Sequence, residues 1–247
     1  METLRGGAAS VLIGVATALA IVSVVLPLFL NPVWVAFEQG RAEATAWTGF
    51  SEPDLRVATD AILADLVFGP PEFDIAVAGE PVLNERERGH MRDVRGVFIG
   101  FFALAIVAGA AALAIAARRR GTERARTWRA VRGGAAGLTV ALLVGGVISV
   151  VAFDVLFETF HRLFFAGGSY TFDPSTERLV QLFPFRFWQE TAIVVGVVCV
   201  AVAGLVAVVA TGRAAALATA NDPQAAIDPD GTVPDGSTSI PATGESR

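Results

Sequence analysis

The fifteen residues RRRGTERARTWRAVR, positions 118–132, decide how this 247-residue chain is organised. They carry Arg118, Arg119, Arg120, Arg124, Arg126, Arg129 and Arg132 against a single acid, Glu123. On either side the charge thins abruptly into apolar runs, residues 94–117 before and 133–153 after. Each run is long enough to cross a bilayer, whose hydrocarbon core takes about 20 helical residues at about 1.5 Å apiece. Two further runs, residues 8–30 and 191–211, have the same character. The first is too long for a signal peptide and lacks a small-x-small cleavage site, so it reads as an uncleaved span.

Four spans with an arginine-rich second connection give an orientation. Short connections rich in Arg stay in the cytoplasm, which places both termini there too and turns residues 31–93 and 154–190 outward. A nucleic-acid or lipid-headgroup patch is the other reading of such a run. Topology alone accounts for it, and no nucleic-acid partner is expected. Composition agrees with a membrane protein: 53% of residues are hydrophobic, 17% are charged, and mean hydropathy is +0.57. All the basic residues are Arg, and the lone cysteine, Cys199, sits in an apolar run where a buried, inert thiol is expected. In the third span Gly133, Gly134, Gly137, Gly145 and Gly146 suit close helix–helix approach.

The predicted fold class is therefore an all-α membrane protein: a four-transmembrane-helix bundle under a small extracytoplasmic cap of one amphipathic helix and a short β-hairpin. The domain runs over residues 8–212, with cap segments 31–93 and 154–190, and residues 213–247 form a disordered cytoplasmic tail rich in Pro, Asp, Gly, Ser and Thr. In the cap, Ser51 and Asp54 resemble a capping box, and Leu55, Ala58, Ile62 and Leu66 recur at helical spacing. That predicts a helix over Glu52–Val67, stopped by Gly69-Pro70-Pro71 and packed on the bundle or on the membrane surface. Residues 73–77 read as a short strand. Residues 170–172 and 179–183, around Asp173-Pro174-Ser175, read as the hairpin. Phe185, Phe187 and Trp188 fall where an interfacial aromatic belt belongs.

The chain has only two histidines, His90 and His161, and both fall in the outward segments. Imidazole is the side chain whose ordinary pKa lies nearest neutrality, which suits it to proton transfer. Asn84 and Glu87 are spaced as an N-cap and its N3 partner, so a helix starts there and runs into the second span, with Glu87, His90 and Asp93 on one face. If the third span continues outward, Asp154, Glu158 and His161 form a similar stripe. The acids could orient each ring and raise its basicity. Helical rise puts both rings near the outer headgroup and ester layer, a depth suited to lipid esters. A histidine at a membrane interface is also commonly a plain polar anchor, and a histidine pair with Asp93, Asp154 or Asp173 could in principle ligate zinc. No HxxxH, HExxH or neighbouring cysteine supports a metal, and no GxSxG, Walker or GxGxxG pattern is present. No metal or other cofactor is expected.

The stretches Leu83-Asn84-Glu85-Arg86-Glu87, His90-Met91 and Asp93-Val94 resemble a signature of a bacterial membrane-protein family that includes the lipoprotein intramolecular transacylase. So do Phe153-Asp154, Phe157, Phe160-His161, Phe164-Phe165, Phe172-Asp173-Pro174, Phe183-Pro184 and Phe187-Trp188. Order, spacing and the four-span layout agree over residues 8–212. The resemblance implies a membrane acyltransferase acting on lipoproteins whose N-terminal cysteine carries a diacylglyceryl group. It would move the sn-2 acyl chain to the cysteine's own α-amino group. It also implies His90 and His161 as the catalytic pair, with Glu87, Asp93, Asp154, Glu158 and Asp173 as supporting candidates. Diacylglyceryl-modified lipoproteins and membrane lipids are the implied partners. The alternative on the residues alone is a non-catalytic membrane protein that binds a lipid or protein partner through its cap.

Overall fold

The structure, a computed structural model, describes residues 2–220. Four of its helices are long and apolar enough to cross a membrane: α1 (Glu2–Val25), α5 (Glu85–Arg118), α6 (Thr122–Val151) and α9 (Phe185–Ala220). α6 packs along α9, and α1 lies against α5, α6 and α9. The span core is small, built on Ile21, Val25, Phe29, Ala135, Cys199 and Ala203, because most span side chains face outward as lipid-facing residues must. Cys199 is buried there as a free thiol. α9 runs on through Ala220, so residues 213–220 are helical rather than the start of a disordered tail, and the rest of that expectation lies outside the described residues.

Of the five glycines in the third span, one is demonstrably at a close crossing. A Cβ on Gly134 would fall into the backbone of Gly14 on α1, 2.7 Å from its Cα. Gly133, Gly137, Gly145 and Gly146 face open space.

Residues outside the spans form a cap with its own apolar core. Between α1 and α5 lie α2 (Pro32–Arg41), α3 (Ala44–Thr48), α4 (Glu52–Val67) and the strands β1 (Ala76–Val77) and β2 (Glu80–Pro81). α4 forms as expected: the Asp54 amide donates to Ser51 Oγ at 3.3 Å, and Leu55, Ala58, Ile62 and Leu63 are buried. It packs against Phe73, Ile75, Leu83 and Met91, inside the cap. Arg95 closes its far end by donating to the carbonyls of Asp65 and Gly69. Buried Gln39 ties three helices together, its amide donating to Thr59 Oγ1 on α4 and to the Leu182 carbonyl.

Three cap expectations need correction. The hairpin pairs β1 with β2, not residues 170–172 with 179–183. Its turn is Ala78-Gly79, both at positive φ (52° and 84°), a mirror-type turn that sets the strands' twist without the usual Asn-Gly signal. Residues 178–182 instead form a helical turn, α8 (Arg178–Leu182). The cap therefore holds several helices besides α4. The third span also does not run straight to His161. It breaks at Ala152 (φ −152°, ψ 50°) and restarts as α7 (Phe153–Phe164). The Gln189 amide on α9 donates to the Ser149 carbonyl freed by the break, at 2.9 Å. Phe187, expected in an interfacial belt, is buried in the cap core, while Phe185 and Trp188 stay exposed.

Candidate functional site

α5 has 34 residues, about 51 Å of helix, against a hydrocarbon core of about 30 Å. Its charged first turns, Glu85 to Asp93, therefore stand clear of the span, and His90 sits among them. The predicted capping box begins this helix. The Glu87 amide donates to Asn84 Oδ1 at 3.0 Å, and the Asn84 amide donates to Glu87 Oε2 at 2.7 Å. His161 comes from α7, whose break from α6 redirects it across the end of the bundle. After α7 the chain turns back through Gly167 (φ 68°) and Gly168 (φ 74°), conformations that suit glycine. That turn brings Tyr170 back onto the His161 ring, on which Phe165 at the end of α7 also packs.

The two imidazoles meet. Their centroids lie 6.0 Å apart, with ring planes 24° from parallel. Aromatic rings enclose them: Phe165 and Phe172 pack on His90 at 4.8 and 5.4 Å, and Phe157 and Tyr170 on His161 at 4.0 and 5.1 Å. His161 Nδ1 is 2.7 Å from the Phe157 carbonyl. A carbonyl only accepts, so Nδ1 carries the proton and Nε2 of the neutral ring holds the lone pair. Among the described residues His90 has no hydrogen-bond partner, and its Nδ1 is enclosed.

Burial sets the charge state of both rings. Loss of water around His90 pushes its pKa down from 6.5 to about 4; His161 adds to that shift and Asp93 opposes it. His161 is also lowered by burial, against the pull of the Phe157 carbonyl and of Glu158. Both rings are thus neutral at pH 7. Because the folded His90 value lies below the unfolded one, the unfolded chain binds more protons between about pH 4 and 6.5. Above about pH 6.5 the ring is neutral in both states and stability is indifferent to it; as pH falls toward 4 the folded state is penalised, by on the order of 3 kcal/mol in all. With two histidines in the chain, ring-labelled NMR reads this directly: His90 is expected not to titrate between about pH 5.5 and 7.5. A His90 midpoint near 6.5 would contradict its burial.

The acidic candidates divide. Asp93 and Glu158 act electrostatically on His90 and His161 respectively. Glu158 is held by Arg162 Nε at 2.7 Å and by the Tyr170 hydroxyl at 3.1 Å. Asp154 is not drawn in: it is exposed in the first turn of α7, where a carboxylate complements the helix dipole. Asp173 shapes its own turn, accepting from the Ser175 amide and hydroxyl at 2.9 and 2.7 Å. Glu87 is architectural. Besides closing the capping box, its Oε1 accepts the Leu179 amide at 2.6 Å and so caps α8 from another helix. Glu87→Ala strands two amides, each costing about 1–3 kcal/mol if left unpaired. It is expected to lower Tm by roughly 5 °C or more in a detergent melt, with Glu87→Gln intermediate; an unchanged melt would rule that role out.

Sequence reasoning missed two contributors. The sequence reads Tyr170 and Phe172 as strand residues, and only the turn at 167–168 and the fold-back of residues 171–177 make them walls of the histidine site. Among the described residues, no group of three or more His, Cys, Asp or Glu is arranged to hold a metal.

A four-span bundle capped by a small folded layer, with two neutral imidazoles meeting in an aromatic enclosure beside the spans, defines a membrane-embedded enzyme of acyl-transfer type. The chain belongs to the family described as lipoprotein intramolecular transacylase Lit, whose profile matches residues 11–188. Solved structures agree at the level of the fold. The integral-membrane lipoprotein intramolecular transacylase Lit of Bacillus cereus superposes with a TM-score of 0.68 at 12% identity, covering 88% of this chain and 98% of that one. Two variants of that protein with a single histidine replaced, by arginine or by alanine, give TM-scores of 0.62 and 0.64 at 12% and 13% identity. They cover 89% and 87% of this chain and 94% and 96% of theirs. No curated protein sequence matches the chain.

Proposed function

We propose that this chain converts diacylglyceryl-cysteine lipoproteins to the lyso form, using His90 and His161 as its catalytic pair. The observation that carries the reading is the meeting of two neutral imidazoles at 6.0 Å inside aromatic walls, in a chain of the lipoprotein transacylase family. The α-amine of the lipoprotein's N-terminal cysteine has an ordinary pKa near 7.7–8 and attacks as the free base. Its nitrogen bonds to the carbonyl carbon of the sn-2 ester, and the proton it sheds passes to one imidazole. The other imidazole, itself neutral, donates a hydrogen bond to the developing oxyanion, and the proton held by the first passes on to the departing glycerol oxygen. The carbon–oxygen bond then breaks, leaving an amide and a free sn-2 hydroxyl. Amine and ester belong to one molecule, so much of the rate comes from orientation within the aromatic enclosure.

The Arg118–Arg132 connection favours a cytoplasmic placement of that side of the membrane and of both termini. The histidine site then faces outward, at the leaflet where mature lipoproteins reside. Asp93 and Glu158 support the pair by raising imidazole basicity against the effect of burial.

The test is reconstitution of the purified chain in vesicles with a synthetic diacylglyceryl-cysteine peptide, followed by tandem mass spectrometry. Intramolecular transfer is an isomerisation: the expected product keeps the parent mass and carries its acyl chain on nitrogen. Loss of one acyl mass would mean a hydrolase, and an unchanged fragmentation pattern would defeat the proposal.

A further inference from the structure

Arg86 lies one turn before His90 on α5, and its guanidinium reaches out of that helix to hold residues 171–177 at three points. It donates to the Thr171 carbonyl at 2.8 Å and to both carboxylate oxygens of Glu177 at 2.5 Å. It also lies over the Phe172 ring, 4.8 Å from the centroid. Phe172 in turn has its ring 5.4 Å from that of His90, edge-on at 65°. The same Glu177 carboxylate accepts from the Asp173 amide at 2.7 Å and from Asn84 Nδ2 at 3.3 Å, which closes the loop on itself. Phe172 is thus caught between a cation and an imidazole, with its backbone pinned on both flanks.

We propose that Arg86 is a positioning residue for the histidine site: its clasp on residues 171–177 seats Phe172 over His90 and keeps water from that ring. The inference rests on the reading of His90 and His161 as the reacting pair. Several facts separate it from a general structural role. The groups that act electrically on His90 are His161 on α7 and Asp93 on its own helix, and the two aromatic side chains packed on it, Phe165 and Phe172, are uncharged. Arg86 is not among the charges that shift His90, so its influence passes through Phe172. α8, immediately after the clasped segment, is anchored independently by Glu87 Oε1 on the Leu179 amide, and Gln181 Nε2 holds the Pro174 carbonyl at 2.8 Å. Loss of the clasp should therefore free Phe172 without unfolding the cap.

The experiment uses the full chain in nanodiscs with ring-labelled histidine, reading the two imidazole titrations beside turnover of the diacylglyceryl-cysteine peptide. R86Q and F172A are expected to admit water to His90 and move its midpoint upward by about one pH unit or more. Turnover should fall by roughly tenfold with Tm little changed, as expected of lost positioning. R86K, a single ammonium in place of a planar fork, should recover only part of either effect. E177Q breaks the clasp from the other side and should shift His90 in the same direction, which keeps the idea testable if R86Q folds poorly. An unmoved His90 titration in both R86Q and E177Q overturns the proposal whatever happens to turnover. Turnover surviving in His90 variants would instead defeat the catalytic reading and leave the titration result standing.

Discussion

His90→Gln and His161→Gln are each expected to cut lyso-lipoprotein formation by about 10²–10⁴-fold, the range over which a positioned acid–base group acts. Glutamine approximates the size of imidazole and retains a hydrogen-bonding end, but it cannot exchange a proton near neutrality. The two rings meet at 6.0 Å and handle two halves of one proton balance, so the double variant should be little worse than the poorer single one. Thermal melts of both variants at neutral pH are expected to match the parent, because among the described residues His90 has no hydrogen-bond partner and His161 bonds only to a carbonyl within its own helix. Asp154→Asn is the control: the residue is exposed on α7 and its activity should be unchanged. Mass spectrometry of the lipopeptide N-terminus reads all four proteins. A histidine variant that keeps more than about a tenth of the parent rate would remove that ring from the mechanism.

Gly134→Val is expected to have the largest effect on folding. Its Cβ would lie 2.7 Å from the Gly14 Cα, a distance real carbon atoms do not adopt, and the obstacle is backbone that cannot rotate aside. To accept any side chain there, α1 and α6 must move apart by roughly 1 Å. In lipid, packing is what holds helices together, so the loss spreads along the crossing. Even Gly134→Ala should cost several kcal/mol, above the usual range of about 1–3 for overpacking, and Gly134→Val should yield little monodisperse protein. Gly133→Ala, one residue away, meets nothing within 4 Å and should be neutral. Gly14→Ala should be mild, since its Cβ sits at an ordinary 3.5 Å from the Gly134 Cα. Size-exclusion profiles and melts in detergent check the series; a Gly134→Ala melt equal to that of Gly133→Ala would mean the helices are not so close.

Much of this protein was legible residue by residue because the signals are local. The Asn84–Glu87 capping box and the Ser51 cap each act within one helical turn, and both form as their spacing predicts. The failures came where a partner arrived from far along the chain. Leu179 to Phe183, beside the Asp173-Pro174-Ser175 turn signal, reads as one arm of a hairpin, yet Glu87, 92 residues away, takes the Leu179 amide and caps a helical turn there instead. Glu87 itself looked like a companion of His90 and is occupied by two amides. Asp154 shares α7 with His161 but lies seven residues before it, about 10 Å along the helix, and stays exposed.

What the sequence determined by itself was the set of spans, their number and the grouping of charge. These follow from chain length against bilayer thickness and from segregation of Arg, neither of which needs a fold. It also singled out His90 and His161, by scarcity and by the motifs around them. Only the tertiary structure decided that the two rings meet and that aromatic walls keep both neutral. Those properties depend on the angle between α5 and α7 and on the fold-back at Gly167-Gly168, which bring together residues 71 positions apart. Burial is a property of neighbours, and a ring's neighbours are set by packing across the fold, beyond the reach of spacing within one helix.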